Sequence, residues 1–163
     1  MPDIIWANPA EIEFKISPFL DLPAVKGGDW DIDRRHEFKA TAKYRAVRDR
    51  IEKGLDWRET DLFADAYARR MARDGRVGRC RSIEELVGEY ERRIDALIER
   101  MKRHGFRTES KHGRRYALPA FLVGRNGETF IGNQGNHRLA IAQVLGLEQI
   151  AGKITCRHQL WTP

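Results

Sequence analysis

The chain has 163 residues, 41% of them hydrophobic and 33% charged, with a formal net charge of +6. That length favours a single domain over residues 1–163. No stretch approaches the roughly 18 apolar residues that a membrane span needs, and residues 1–13 lack the basic start and long apolar run of a signal peptide. We therefore expect a cytoplasmic protein that does not contact a membrane.

The first part of the chain predicts one strand and one acidic loop. Residues 11–16 alternate apolar and charged side chains, which is typical of a half-buried strand. Residues 21–33 combine a proline, two adjacent glycines and four aspartates. This composition predicts a loop that brings Asp29, Trp30 and Asp31 to one place.

Two amphipathic helices are predicted next, one over residues 34–53 that ends at Gly54 and one from near Thr60 to Gly75. Trp57, between them, is interpreted as a core residue. A third helix is predicted over residues 83–104, because Ser82 and Glu85 have the spacing of a capping box and the apolar side chains form one continuous face.

The pattern changes after residue 116. Two apolar runs separated by residues 125–128, which contain Asn-Gly, predict a β-hairpin. A helix over residues 136–145 follows, and residues 149–161 supply a last strand with Arg157, His158 and Trp161 at its end.

The turn into the helix at 136–145 carries the clearest chemical signal. Backbone N–H groups at a helix N-terminus are unpaired and carry partial positive charge, so a glycine-flanked strand-to-helix turn suits an anion such as phosphate. Gly135 allows close approach, Asn136 can cap the helix, and His137 and Arg138 add donors. The alternative is structural: Asn136 is only a cap, His137 is a core imidazole, and Arg138 pairs with a carboxylate of the acidic N-terminal region.

The order of these parts resembles the ParB/sulfiredoxin superfamily. The resemblance rests on the segments IDALIERMKRHGF, LPAFLVGRNGETFIGNQGNHRLAIAQVLGL and IAGKITCRH. It implies an α+β fold, a small mixed sheet with packed helices, and a helical insertion at about residues 32–84. It also implies that Gly135, Asn136, His137 and Arg138 hold the phosphates of a nucleotide, which is what members of this superfamily share.

The resemblance favours an ATP-dependent phosphotransferase that acts on a small hydroxyl-bearing substrate. Sulfiredoxin chemistry needs a thiolate where this chain has Asn136, which cannot act as that nucleophile. The cofactors are then ATP, or another nucleoside triphosphate, and Mg²⁺. Asp29 and Asp31 are the candidates for metal ligands and, with His137, for catalysis. Alternatively, Asp31 or Asp33 only caps the next helix.

Arg157 and His158 form a second polar set, which could bind an anionic group of the substrate or lie at the rim of the core. The alternative is a DNA-binding or nuclease-like module with a nucleic acid as its partner, because residues 34–163 carry a net charge of +11 against −5 for residues 1–33. In that case the basic tract at 111–115 would contact the phosphate backbone. A nucleotide-sensing module without catalysis is a third interpretation.

Overall fold

The computed structural model describes residues 3–17, 22–109 and 112–163. Within these ranges the protein is a mixed α+β structure with one seven-stranded sheet and five α-helices. The strands are β1 (Ile4–Ala7), β2 (Phe14–Ile16), β3 (Val25–Lys26), β4 (Arg35–Glu37), β5 (Ala120–Val123), β6 (Thr129–Ile131) and β7 (Ile150–His158). The helices are α1 (Trp30–Asp33), α2 (Ala42–Lys53), α3 (Ala68–Asp74), α4 (Ile83–His104) and α5 (Asn136–Leu145).

The sheet has the strand order β1-β7-β5-β6-β2-β4. The short strand β3 pairs with the C-terminal end of β7, whereas β1 pairs with its N-terminal part. The pairs β1–β7, β5–β6 and β2–β4 are antiparallel, whereas β2–β6, β3–β7 and β5–β7 are parallel. The predicted hairpin is β5–β6 and the predicted last strand is β7, so both are confirmed.

Two apolar clusters cover opposite faces of this sheet. Phe121 belongs to the larger cluster, with α2, α4 and α5, while its neighbour Leu122 belongs to the smaller one, with Trp30 and Cys156. Successive strand residues point to opposite faces. Helix α5 therefore packs on one face of the sheet, and the short helix α1 packs on the other.

The helix predicted over residues 34–53 begins only at Ala42. Residues 35–37 instead pair with β2 as an edge strand, and Phe38 in the following turn is fully buried. The Thr41 hydroxyl then accepts a hydrogen bond from the N–H of Tyr44 (3.3 Å) and caps α2. Gly54 ends the helix with a φ of 66°, as predicted.

The second predicted helix is present but irregular. It starts with a π-helical segment, Leu62–Tyr67, continues as α3 and ends at Gly75. Trp57 is fully buried, as predicted, and belongs to the same apolar cluster as Leu139 of α5. Residues 38–71 thus contribute to the core that also supports α5.

The helices α4 and α5 have the predicted bounds. Ser82 accepts from the N–H of Glu85 (3.1 Å), but the Glu85 carboxylate accepts from the N–H of Arg81 (2.8 Å), so the predicted capping box is only half formed. No helix of the described residues has the length and apolar character to cross a membrane. The strands β1, β3 and β4 were not predicted from the sequence.

Candidate functional site

The turn into α5 is built differently from the sequence prediction. Gly135, not Asn136, is the N-cap residue, and its φ of 86° is one that other residues rarely adopt. A Cβ atom on Gly135 would also lie 2.5 Å from Cα of Pro119. The buried Asn136 amide donates from Nδ2 to the Gly132 carbonyl (3.1 Å) and so fixes the turn from inside.

This arrangement leaves the N-terminus of α5 without a capping side chain. Within the described part of the chain, the backbone N–H groups of Asn136, His137 and Arg138 have no acceptor, and the first bonded amide is that of Leu139. Helices α2 and α4, by contrast, are capped by Thr41 and Ser82. The partial positive charge at the start of α5 is therefore available to an external anion.

His137 is held by a chain of two tyrosine hydroxyls. Its Nε2 lies 2.8 Å from Oη of Tyr90, which lies 2.6 Å from Oη of Tyr67, in the π-helical segment. Burial and the charges of Lys43, Arg93 and Arg138 lower the pKa of His137 to about 3. The imidazole is therefore neutral at pH 7, and Nδ1 has no hydrogen-bond partner among the described residues.

The cations around His137 are not neutralised by acids. In the described ranges, Lys43, Arg93 and Arg138 form no ion pair and no side-chain hydrogen bond. Burial and the charges of Lys15 and Arg70 lower the pKa of Lys43. A positive field therefore surrounds the start of α5.

Arg138 itself pairs with no carboxylate among the described residues of the N-terminal region, so the structural alternative for it is not observed there. It is half-buried, and its pKa is lowered by burial and by the nearby guanidinium groups of Arg100 and Arg93. A half-buried guanidinium next to other guanidinium groups is costly without an anion.

A cavity of about 590 Å³ opens beside His137. Arg79 and Arg93 supply its cationic groups, and Glu89 is the carboxylate in its lining. The other lining residues are Val77, Gly78, Cys80, Leu86, Tyr90 and Ile94. The cavity thus combines an apolar wall with positive charge.

Sequence reasoning missed most of this cavity. The helical spacing of the sequence places Tyr90 on the apolar face of α4, where it is indeed buried, but a hydroxyl on a buried face needs a partner. This need for a hydrogen-bond partner was the signal in the sequence that Tyr90 lies next to another polar group. Nothing in the local sequence connects Arg79 or Lys43 with residue 137.

Asp29 and Asp31 are brought together, as predicted, but by Arg125 rather than by an open site. Asp31 is fully buried and accepts from the backbone N–H of Arg125 (2.9 Å) and from its Nε (3.0 Å) and Nη2 (2.7 Å). The same Nη2 donates to Asp29 Oδ1 (2.7 Å) and to the Gly28 carbonyl (3.1 Å). Burial alone would raise the pKa of Asp31, but the hydrogen bonds from Arg125 hold it below its ordinary value.

His158 completes this cluster, while Arg157 does not. The N–H of Leu160 donates to Nδ1 of His158 (3.1 Å), so the imidazole proton is on Nε2, which donates to the Gly28 carbonyl (2.7 Å). His158 is buried against Trp30, whereas Arg157 is exposed. Since they are neighbours on a strand, their side chains point apart, and the structure does not form the predicted substrate clamp.

The two predicted halves of the site lie on different faces of the sheet. Asp31 is in α1, next to the smaller apolar cluster, and His137 is in α5, which packs on the larger one. Asp31 also lacks a free carboxylate oxygen, because Arg125 binds both. In the described residues no group of three or more His, Cys, Asp or Glu side chains could hold a metal ion.

Comparisons with protein-family models, curated proteins and solved structures give no match for this chain.

Proposed function

We propose that this protein binds a nucleotide, ATP in the first place, in the cavity beside His137. The phosphates lie against the start of α5 and the guanidinium group of Arg93, and Arg138, which follows His137 in α5 but is outside the cavity lining, reaches them from the edge. The nucleoside lies against the apolar wall that includes Tyr90. The observation that carries the proposal is the group of cations around His137 that form no ion pair within the described part of the chain.

The electrostatics support an anionic ligand. Burial is the main cause of the lowered pKa of His137, and the cations that lower it further also attract negative charge. Unbonded amides at the start of a helix add directed donors for phosphate oxygens. Because the site is partly buried, its attraction is screened less by salt than that of surface charges.

The chain's resemblance to the ParB/sulfiredoxin superfamily agrees with this proposal. The Gly135-Asn136-His137-Arg138 turn is the position where members of that superfamily hold a nucleotide. We therefore propose the ParB/sulfiredoxin-like fold for this chain as the finer description of its α+β structure.

The catalytic form of the proposal is phosphoryl transfer from ATP to a small hydroxyl-bearing molecule. Such a reaction needs positioning, charge neutralisation and a carboxylate that orients the hydroxyl. Glu89 is the carboxylate in the cavity lining, and its side chain now binds Arg92. Mg²⁺ typically keeps several waters and uses one or two carboxylates together with the substrate phosphates. Glu89 therefore fits the role of metal ligand for which Asp29 and Asp31 were the candidates from the sequence.

Nucleotide binding is tested by calorimetry and thermal shift with ATP and CTP, each with and without Mg²⁺. R138Q should weaken the best ligand by about 10- to 100-fold, because each hydrogen bond to a charged group contributes about 1.5–3 kcal/mol. R69Q is the matched control, since Arg69 is an exposed arginine in α3 that pairs with Asp65. Equal affinity in R138Q and R69Q would refute the site.

Catalysis is tested separately, by phosphate release and by phosphoryl transfer to a panel of small alcohols. E89Q should retain nucleotide binding and lose turnover. D29N should retain both, because Asp29 lies in the α1 region and binds Arg125. If D29N lost turnover and E89Q kept full activity, the catalytic carboxylate would be Asp29 and not Glu89.

A further inference from the structure

Four arginines lie along one side of α4 and its continuation. Arg93, Arg100 and Arg103 are spaced by seven and three residues, which places them on one helix face. Arg107 follows the helix end at His104. Arg93, Arg103 and Arg107 are exposed and Arg100 is half-buried. We call these four residues the arginine stripe.

The arginine stripe connects the nucleotide cavity with a second depression. Arg93 lines the cavity beside His137, while Arg100, Arg103 and Arg107 line a groove of about 390 Å³. Arg138 lies within the electrostatic reach of both Arg93 and Arg100, whose charges act on it. With a rise of 1.5 Å per residue, Arg93 and Arg100 are about 10 Å apart along the helix.

The stripe carries positive charge that the described residues do not neutralise. None of its four arginines forms an ion pair in those ranges. The acids nearby are bound elsewhere: Glu89 to Arg92, Glu99 to Lys102 and Glu109 to Arg115.

An aromatic ring adds a stacking surface to the groove. Tyr116 lines the groove, and the guanidinium of Arg100 lies 4.7 Å from the centre of its ring. Arginine and aromatic planes are the surfaces on which unpaired bases stack, whereas the bases of a duplex are stacked on each other. The groove therefore favours a single strand over a duplex.

We propose that the arginine stripe binds the phosphodiester backbone of a single-stranded nucleic acid. The proposal goes beyond the nucleotide site, because a mononucleotide in the cavity cannot also fill a groove further along α4. Phosphates along the strand contact Arg93, Arg100, Arg103 and Arg107, and one base lies against Tyr116. DNA and RNA share this backbone chemistry.

The experiment measures fluorescence anisotropy of labelled oligothymidylate and oligouridylate, each of about 15 nucleotides, which matches a typical single-strand site. The full chain should bind at low salt, with log affinity falling by about 0.7 per contacted phosphate for each unit of log salt. R103Q/R107Q should bind at least about 10-fold more weakly and reduce that slope by about 1.4. Comparison of the two strands shows which sugar is preferred.

The matched control is R69Q/R73Q, which removes two exposed arginines of α3 and changes the net charge equally. It should bind within about threefold of wild type. Equal losses in both double variants, absence of binding by wild type, or tighter binding of a duplex of the same length would overturn the proposal. Stabilisation by ATP should persist in R103Q/R107Q, so failure of this proposal and failure of the nucleotide site give different results.

Discussion

The charged side chains on the two faces of the sheet differ in whether a group of opposite charge neutralises them. On the face with α1, the carboxylates of Asp29 and Asp31 are matched by one guanidinium, that of Arg125. On the face with α5, the cations Lys43, Arg93 and Arg138 surround a neutral His137. These three cations have no acidic partner among the described residues. The matched cluster stabilises the fold, whereas the unmatched cluster is where we propose that the nucleotide binds. Changes to the first should therefore affect stability, and changes to the second should affect binding.

The largest expected effect is on the matched cluster. D31N removes a fully buried negative charge and leaves Arg125 without its main partner. We expect it to lower the free energy of unfolding by about 3 kcal/mol, measured by urea denaturation. D33N, an exposed aspartate in the same helix, is the control and should change stability by less than about 0.5 kcal/mol. If D31N removed nucleotide affinity but left stability unchanged, the assignment of the two faces would be wrong.

The second prediction concerns pH. The ordinary pKa of His137 is 6.5, and in the folded protein it is about 3. Below pH 6.5 the unfolded chain therefore takes up a proton that the folded chain does not. Above pH 6.5 His137 is neutral in both states and does not lower the free energy of unfolding. Between pH 7 and pH 5 its effect should lower that free energy by about 2 kcal/mol. Urea denaturation of wild type and H137Q at both pH values measures the difference, and equal pH dependence in the two would contradict it.

The smallest effect distinguishes Arg50, which is paired with Asp95, from Arg93, which forms no ion pair in the ranges that the structure describes. R93Q removes one of several repelling cations and should raise the free energy of unfolding by about 0.5 kcal/mol at low salt. R50Q removes two hydrogen bonds to Asp95 (3.2 and 2.7 Å) and should lower it by about 1 kcal/mol. Added salt should reduce the gain in R93Q. Destabilisation of both variants to the same degree would show that Arg93 has a structural partner.

The sequence predicted the regular parts of the fold because their signals are local. The apolar face of α4, the Asn-Gly hairpin and the glycines that end α2 and α5 all depend on residues within a few positions. The start of α2 was misplaced, because the strand at 35–37 exists only through pairing with β2. Helical periodicity cannot reveal that pairing.

The candidate site was predictable only at the turn into α5. The bond between Arg125 and Asp31 spans 94 residues, so no spacing rule could show that the two predicted aspartates already have a cation. Likewise, Tyr90 and His137 are 47 residues apart. The sequence supplied the residue types, but the sheet determined which of them meet.

The most direct test follows the imidazole of His137 by NMR as pH is lowered, with and without ATP, and uses H137Q to assign its signal among the five histidines. Without ligand, His137 should remain neutral until about pH 3. With ATP bound, the phosphate charge should raise its pKa by more than about one unit. A pKa that stays near 3 while ATP is demonstrably bound, or an ordinary pKa in the free protein, would contradict the claim that the cations at this helix start, which have no acidic partner among the described residues, bind an anion.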